Sequence, residues 1–166
     1  EVKQLVNHLS QTIDDFRDFY KPSQQKVSFR IFGDSLGRVM SFVRMRLERL
    51  GVELNIDMIK DVTILGYPNE YAQVFMNIIN NAIDVFQEKT VTNPRVDLSL
   101  NQKDQRSRLV IEDNGGGIDG KIIDRVFDPY FTTKEKGTGI GLYMSKMIVE
   151  QKMGGSLIVE NTSGGA

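Results

Sequence analysis

Two glycine-rich segments of this chain carry residue types whose spacing could bind a phosphorylated ligand. Residues 113–117 read Asp-Asn-Gly-Gly-Gly, and residues 137–142 read Gly-Thr-Gly-Ile-Gly-Leu. Glycine lets the backbone approach a ligand closely and adopt a positive φ, and the free N–H groups at a helix start attract anions. Either segment alone is a weak indication, because glycine most often marks an ordinary turn.

Residues 70–82 form a predicted helix that carries amide side chains. Asn77 and Asn81 stand four residues apart and therefore project from one helix face, whereas Asn80 faces away. Amide oxygens are neutral acceptors that can bind Mg²⁺ beside phosphates, which bring most of the negative charge themselves. Two hydrogen-bonded asparagines on a half-buried helix are the alternative. Together with the two glycine segments, this helix predicts a nucleotide site.

Asp113 and the second glycine segment suggest how a nucleotide would be held. A carboxylate at Asp113 only accepts hydrogen bonds at neutral pH, so it suits an exocyclic amine such as that of adenine better than a phosphate. Capping a turn is its alternative role. Gly137, Gly139 and Gly141 surround a helix start, where the helix dipole favours phosphate. Lys134 could add a positive charge nearby.

The loop between the two glycine segments combines aromatic side chains with hydroxyls and a lysine over residues 127–134. Long loops in compact domains are often lids that close over a ligand. Phe127 and Phe131 stand four residues apart in this loop. They could equally be ordinary core contacts.

Composition excludes several kinds of chemistry. The 166 residues include 21 basic and 22 acidic side chains, so the net charge of −1 removes the electrostatic argument for nucleic-acid binding. The chain has no cysteine, which excludes disulfides, thiol catalysis and cysteine zinc sites. A single histidine cannot form a multi-histidine metal site, so any divalent metal here would be bound by oxygen ligands. The chain contains no apolar run of about 18 residues, so the sequence predicts no membrane contact. No signal peptide is visible. The abrupt start suggests a fragment of a larger protein.

Hydrophobic periodicity predicts the elements that would position these residues. An amphipathic helix over residues 5–20 ends before Pro22 and requires a partner helix, and residues 23–26 form a linker. Further helices are predicted at 34–50, with Asp34 as cap and Gly51 as stop, and at 70–88, 122–126 and 140–151. The predicted strands are 52–56, 62–65, 96–100, 108–112 and 157–160, with 96–100 and 108–112 as an antiparallel pair. This order favours an α+β sandwich.

The motifs occur in the order found in sensor histidine kinases, and residues 34–166 resemble the catalytic ATP-binding domain of that family, within the superfamily of gyrase, Hsp90 and MutL. The resemblance rests on an asparagine box, an Asp-x-Gly-x-Gly box, a phenylalanine box and a Gly-x-Gly-x-Gly-Leu box. It implies the Bergerat fold, a two-layer α/β sandwich with a mixed, mostly antiparallel sheet. Residues 1–22 contain a stretch similar to the second helix of the family's dimerisation domain, and residues 23–33 would be a linker and first strand.

The resemblance implies a role for each matching position. Asn81 would be the Mg²⁺ ligand, with Asn77 close to the phosphates, and Asp113 would read the adenine amine. The phenylalanine box would be the hinge of an ATP lid that spans about residues 119–136. The implied ATP-binding residues are Asn77, Asn81, Asp113, Gly115, Gly117, Ile118, Phe127, Phe131, Thr132, Thr133, Lys134, Gly137, Thr138, Gly139, Ile140, Gly141 and Leu142.

The implied reaction uses ATP and Mg²⁺ and transfers the γ-phosphoryl group to a histidine on a dimerisation helix, and from there to a response-regulator receiver domain. The resemblance further implies a homodimer in the full-length protein and a cytoplasmic location. Asn77 stands where hydrolysing relatives carry a glutamate base, and it cannot accept a proton at neutral pH, so we expect little ATP hydrolysis. Glu70, two turns away, is a poor substitute. His8 has no proline near it, so the acceptor histidine is expected outside this chain.

Two departures from the family pattern stand out. Asp84 occupies a position where many relatives carry a basic residue that reaches the phosphates. Relatives also continue into one more strand after residue 166, so we expect the catalytic domain to lack that strand and to expose a sheet edge. The alternatives to the kinase are a non-catalytic nucleotide-sensing or dimerisation module, and an ATPase or serine kinase of the same superfamily.

Overall fold

The computed structural model describes residues 21–135 and 137–166. The predicted amphipathic helix over residues 5–20, with His8, therefore lies outside the described residues. Within the described ranges, none of the helices combines the length and apolar character that crossing a bilayer requires.

The described residues form five strands in two sheets. The strands are β1 (Val27–Arg30), β2 (Glu53–Met58), β3 (Thr63–Gly66), β4 (Arg95–Lys103) and β5 (Arg106–Asp113). β1 pairs with β3 in antiparallel fashion, whereas β4 pairs with β2 in parallel and with β5 in antiparallel fashion. Asp104 and Gln105 join β4 to β5, and the positive φ of both residues, 50° and 60°, is the backbone twist that suits a tight hairpin.

Two long helices pack against these sheets. A π-helical turn, Ile31–Leu36, leads into α1 (Gly37–Arg49), and α2 covers Pro68–Glu88. Pro68 occupies the first turn of α2, where its missing N–H has no helical partner to lose. A short 3-10 turn, Ile123–Arg125, precedes α3 (Gly141–Lys146), which continues as a π-helical segment, Met147–Lys152.

One apolar core joins the helices to the three-stranded sheet. Alternate residues of β4 are buried against the helices while their neighbours face away, which is the two-residue period of a half-buried strand. Three elements, α1, α2 and β4, supply fully buried side chains to this core, which include Val39, Val43, Phe75, Ile79, Ile83, Val96 and Leu98. The predicted sandwich of helices on a mixed sheet is confirmed.

Two local predictions were wrong. Asp34 does not cap α1, because it lies inside the π-helical turn, where its Oδ2 accepts a hydrogen bond from the Arg30 backbone N–H at 2.7 Å. Residues 157–160 do not form a strand. A strand needs a neighbouring backbone for its ladder, and the Leu157 N–H instead donates to the Glu150 side chain at 3.4 Å. The predicted stop of α1 at Gly51, with φ +65°, is confirmed.

The last described residues lie against the end of β5. The Asp113 N–H donates to the Ala166 carbonyl at 2.9 Å, and the Gly116 N–H donates to the Gly164 carbonyl at 3.2 Å. These two bonds join the end of β5 and the first glycine segment to the last described residues.

Candidate nucleotide site

Asn77 joins α2 to the second glycine segment. Its Nδ2 donates to the Gly141 carbonyl and to the Ser145 hydroxyl, both at 3.1 Å, and that hydroxyl donates to the same carbonyl at 2.9 Å. Gly141 packs so near that a β-carbon there would lie 3.6 Å from the Asn77 Cγ. The asparagine helix and the start of α3 therefore meet, and a buried hydroxyl at Ser145 completes their hydrogen bonds.

Asn81 lies one turn further along α2 and contacts the loop that was predicted to be a lid. The ammonium of Lys134 donates to the Asn81 Oδ1 at 2.8 Å and to the Asp84 Oδ2 at 2.7 Å. The side chains of Lys134 and Asp84 keep 31% and 34% of their surface exposed, so solvent still reaches this ion pair. Because Asn77, Asn81 and Asp84 follow at helical spacing, they share one face of α2.

Asp113 ends β5, and the first glycine segment folds around its carboxylate. The Gly115 N–H donates to the Asp113 Oδ1 at 2.8 Å, and the Lys89 ammonium donates to the Gly115 carbonyl at 3.2 Å. A β-carbon on Gly115 would collide with the Val85 side chain of α2. Only glycine therefore lets this turn lie against α2, the helix that also carries Asn81.

The pKa of the Asp113 carboxyl is shifted, mainly because the group is partly buried. Loss of hydration is the largest effect on this carboxyl and raises its pKa above the ordinary value, while the Gly115 N–H and the Lys89 ammonium act in the opposite direction. At neutral pH the chain therefore holds a partly dehydrated carboxylate with acceptor capacity left at the end of a strand. Such a group is suited to binding a polar ligand.

The raised pKa of Asp113 predicts how replacing this residue changes stability with pH. A carboxyl whose pKa is higher in the folded than in the unfolded state lowers stability once it is ionised, and this penalty disappears as pH falls through the folded pKa. Asp113→Asn keeps the shape and the Gly115 hydrogen bond but removes the charge. We expect its free energy of unfolding to equal or exceed that of the wild type at neutral pH, with the difference shrinking toward about pH 4. Urea unfolding at both pH values measures this, and a variant that loses stability only at neutral pH would contradict it.

Asn161 braces the first glycine segment from the other side. Its Oδ1 accepts from the Ile118 N–H at 2.8 Å, and its Nδ2 donates to the Ile118 carbonyl at 2.6 Å. Gly117 has φ +73°, and a β-carbon there would lie 2.8 Å from the same amide oxygen. Asn161 thus fixes the backbone of Ile118 directly after the first glycine segment.

The chain makes a tight turn at Gly139, directly after the predicted lid. This residue has φ +66°, and a β-carbon on it would lie 2.7 Å from the backbone N and O of Phe131. The Tyr130 N–H donates to the Gly139 carbonyl at 3.0 Å, and Tyr130 itself has φ +63°, which is uncommon for a bulky side chain. Lys134 is held in a second turn, where its N–H donates to the Thr132 hydroxyl at 3.1 Å.

The two phenylalanines of the lid lie outside the main apolar core and are half-buried. The Arg125 guanidinium lies 4.7 Å from the centroid of the Phe131 ring, and the Lys146 ammonium lies 4.8 Å from that of Phe127. The first of these cation–π contacts lies within the predicted lid, and the second joins the lid to α3. The alternative that both rings are ordinary core contacts does not describe their environment.

Among the predicted residues, the contacts along α2 bring together Asn77, Asn81, Gly115, Lys134 and Gly141. Thr133, Thr138 and Ile140 are exposed, and Leu142 is half-buried. Sequence reasoning missed Ser145, Lys89 and Asn161, because a hydroxyl, an ammonium and an amide in isolation carry no motif. It also left open the partner of Asp84, which the structure identifies as Lys134.

Glu70 is directed into a different set of contacts. It is buried, with 4% of its surface exposed, and its carboxylate accepts hydrogen bonds from the Ser23 N–H at 3.2 and 3.3 Å and from the Lys152 ammonium at 3.4 Å. The prediction that Asn80 faces away from the site is confirmed, since its Oδ1 accepts from Arg46 of α1 at 2.8 Å.

Residues 66–166 match the family described as histidine kinase-, DNA gyrase B-, and HSP90-like ATPase, and the chain belongs to this family. It is 27% identical over 162 residues to sporulation kinase D of Bacillus subtilis (strain 168), covering 96% of this chain and 31% of that protein. The chain thus spans about a third of the length of this relative.

Solved structures show the same fold. The catalytic domain of the histidine kinase ThkA superposes with a TM-score of 0.75 at 22% identity, covering 85% of this chain and 90% of that one. ThkA in complex with the response regulator protein TrrA gives a TM-score of 0.69 at 17% identity, with coverage of 98% and 46%. Full-length ShkA in complex with AMPPNP gives 0.68 at 23% identity, with coverage of 95% and 34%.

Proposed function

We propose that this chain binds Mg-ATP between α2 and the lid and transfers the γ-phosphoryl group to a histidine on a dimerisation helix, as the catalytic part of a two-component sensor kinase. The observation that carries the proposal is the joining of the asparagine helix to the second glycine segment and to the predicted lid. Asn77 contacts Gly141, and Asn81 contacts Lys134 of the lid. Family membership and the AMPPNP complex of ShkA support ATP as the nucleotide.

The residues present fit a magnesium ion. The Asn81 Oδ1 and the Asp84 Oδ2 both accept hydrogen bonds from a single cationic group at 2.8 and 2.7 Å, so two oxygens already converge on a positive charge. Mg²⁺ is usually bound by one or two protein oxygens together with waters and substrate phosphates. When bound, it would neutralise charge that develops on the phosphates.

The side chains of the site favour transfer over hydrolysis. Asn77 stands at the position of the water-activating base in hydrolysing relatives, and it donates its amide protons to Gly141 and Ser145. Glu70 is buried in contacts with Ser23 and Lys152. Phosphoryl transfer relies mainly on positioning and on charge stabilisation, which the backbone turns, Asn81 and Lys134 can supply.

The partners follow from the proposed reaction. A dimerisation helix would present the acceptor histidine, with the full-length protein as a homodimer in the cytoplasm, where ATP is available. A response-regulator receiver domain would then take the phosphoryl group, and ADP would be released. The complex of ThkA with the response regulator TrrA supports a response regulator as a partner.

Incubation with radiolabelled ATP and a separately prepared dimerisation domain that carries an acceptor histidine tests the proposal. We expect acid-labile label on that histidine and little free phosphate. Nucleotide binding without any transfer would instead support a nucleotide-sensing module. Release of free phosphate or label on serine would support an ATPase or a serine kinase, and either result would overturn the kinase proposal.

Asn81→Ala is expected to remove the contribution of Mg²⁺ to ATP binding, because the variant loses the amide oxygen that would bind the metal. Calorimetric titration with ATP in Mg²⁺ and in EDTA measures that contribution as the ratio of the two affinities. Asn80→Ala is the matched control, since Asn80 lies on the same helix but contacts Arg46. A wild-type protein with equal affinity in both buffers would contradict the role of Asn81.

A further inference from the structure

Asn81 and Asp84 form a pair of oxygen ligands that holds a cation in this structure. The Lys134 ammonium lies 2.8 Å from the amide oxygen and 2.7 Å from the carboxylate oxygen. Because Asn81 and Asp84 are three residues apart on α2, their side chains are neighbours on one face. The lysine reaches them from the lid, 50 residues further along the chain than Asp84.

We infer that Asp84 binds the divalent cation of metal–ATP together with Asn81, and that Lys134 occupies their cation position until the nucleotide arrives. The inference rests on the proposed function. Asn81 and Asp84 would hold the metal through the two oxygens that accept from Lys134 in this structure, and the released ammonium could then pair with the phosphates. Asp84 is thus a metal-binding residue at a position where many relatives carry a basic side chain.

Charge supports this exchange. A carboxylate on the phosphate-binding face of α2 repels a polyphosphate unless a cation lies between them, and the repulsion grows as solvent is excluded. If Asp84 holds a divalent cation, its negative charge is neutralised and would no longer oppose binding of the phosphates. The released Lys134 then supplies the positive charge that a basic residue at position 84 would otherwise supply.

Lys134 lies in a turn of the lid that is closed by two hydrogen bonds. The Lys134 N–H donates to the Thr132 hydroxyl at 3.1 Å, and the Lys134 carbonyl accepts from the Gly137 N–H at 3.1 Å. Lys134 is therefore part of a closed turn directly before the second glycine segment. Release of its ammonium from α2 would therefore remove a contact between this turn and the helix.

Asp84→Asn tests the inference, because the amide keeps the shape and loses the charge. In calorimetric titrations, the ratio of ATP affinity in Mg²⁺ to that in EDTA is expected to fall by about tenfold or more. Affinity in EDTA is expected to stay equal or to rise, since a repulsive charge is removed. The amount of Mn²⁺ retained in the ATP complex, measured by electron paramagnetic resonance, is expected to fall in parallel.

Two further variants separate metal binding from a simple tether between the lid and α2. Lys134→Met breaks the same ion pair, but it is expected to weaken Mg-ATP binding by about tenfold while leaving the magnesium ratio undiminished. Asp97→Asn is the control, because Asp97 has a similar exposed fraction and pairs with Arg95 at 3.0 Å on the sheet face that points away from the helices. It is expected to leave the ratio unchanged. Thermal unfolding of every variant verifies that it is folded.

The possible outcomes distinguish the two proposals. A wild-type protein that binds no ATP overturns the proposed function and the inference with it. ATP binding with a normal magnesium ratio in Asp84→Asn overturns only the inference. A fall of the ratio in both Asp84→Asn and Lys134→Met would assign the effect to the tether and would also overturn it.

Discussion

Asp113→Ala is expected to weaken ATP binding by at least about 1–3 kcal/mol, which is the usual effect of leaving a buried polar group without its partner. The carboxylate is half-buried at the end of β5, and one of its oxygens is already occupied by the Gly115 N–H. Its remaining acceptor capacity is what an adenine amine would use. Truncation removes that acceptor and also releases the turn at Gly115, so both effects act in the same direction.

Calorimetric titration of Asp113→Ala and Asp113→Asn separates these two contributions. The asparagine variant can keep the hydrogen bond from the Gly115 N–H, so a loss of affinity in this variant reports the reading of the adenine amine alone. GTP serves as the second ligand, because its base presents a carbonyl where adenine presents the amine. If both variants bind ATP as tightly as the wild type, Asp113 does not read the base.

Gly139→Ala is expected to reduce ATP affinity by about tenfold or more, because the lid turn cannot accept a side chain at this position. An L-residue at φ +66° costs about 1–2 kcal/mol. The new β-carbon would also lie 2.7 Å from the backbone N and O of Phe131, so the turn must open to accommodate it. Opening it would separate Tyr130 from Gly139 and displace the segment that is proposed to hold the phosphates.

Two glycines serve as matched controls for this substitution. Gly120 lies within the lid, and a β-carbon there would meet nothing within 4 Å, so Gly120→Ala is expected to leave affinity unchanged. Gly154 has φ +72° and equally open surroundings, so Gly154→Ala reports the effect of backbone strain alone. Titration of the three variants with Mg-ATP measures the difference. Equal affinities for Gly139→Ala and Gly120→Ala would show that this turn does not shape the site.

The main elements of the fold were predictable because each has a local pattern. Val96, Leu98 and Leu100 alternate with polar neighbours and form a strand that is buried on one side. The apolar positions of α1 recur at three- and four-residue steps and become its buried face. The order of the asparagine and glycine boxes indicated the family, and the match of residues 66–166 confirmed it. The roles of individual site residues remain predictions.

The two wrong predictions have a common physical reason. Asp34 has the residue type of a helix cap, but the hydrogen bonds from Arg30 draw it into a π-helical turn. Residues 157–160 have the composition of a strand, but β-structure needs a partner backbone, and the Leu157 N–H donates to the Glu150 side chain instead of to a neighbouring strand. Residue propensities limit the conformations that a segment can adopt, and contacts with neighbouring elements select one of them.

The amino-acid sequence by itself determined which residue types face the core, where the chain turns at glycine, and that two asparagines share a helix face with Asp84. These properties depend on residues within one or two helical turns of each other. Only the tertiary structure decided that Lys134 lies on Asp84 and Asn81, and that Asn161 supports Ile118. These partners are 43 to 53 residues apart, so their pairing depends on how helices and sheets pack between them. The charge arrangement of the proposed ATP site is therefore a property of the folded chain.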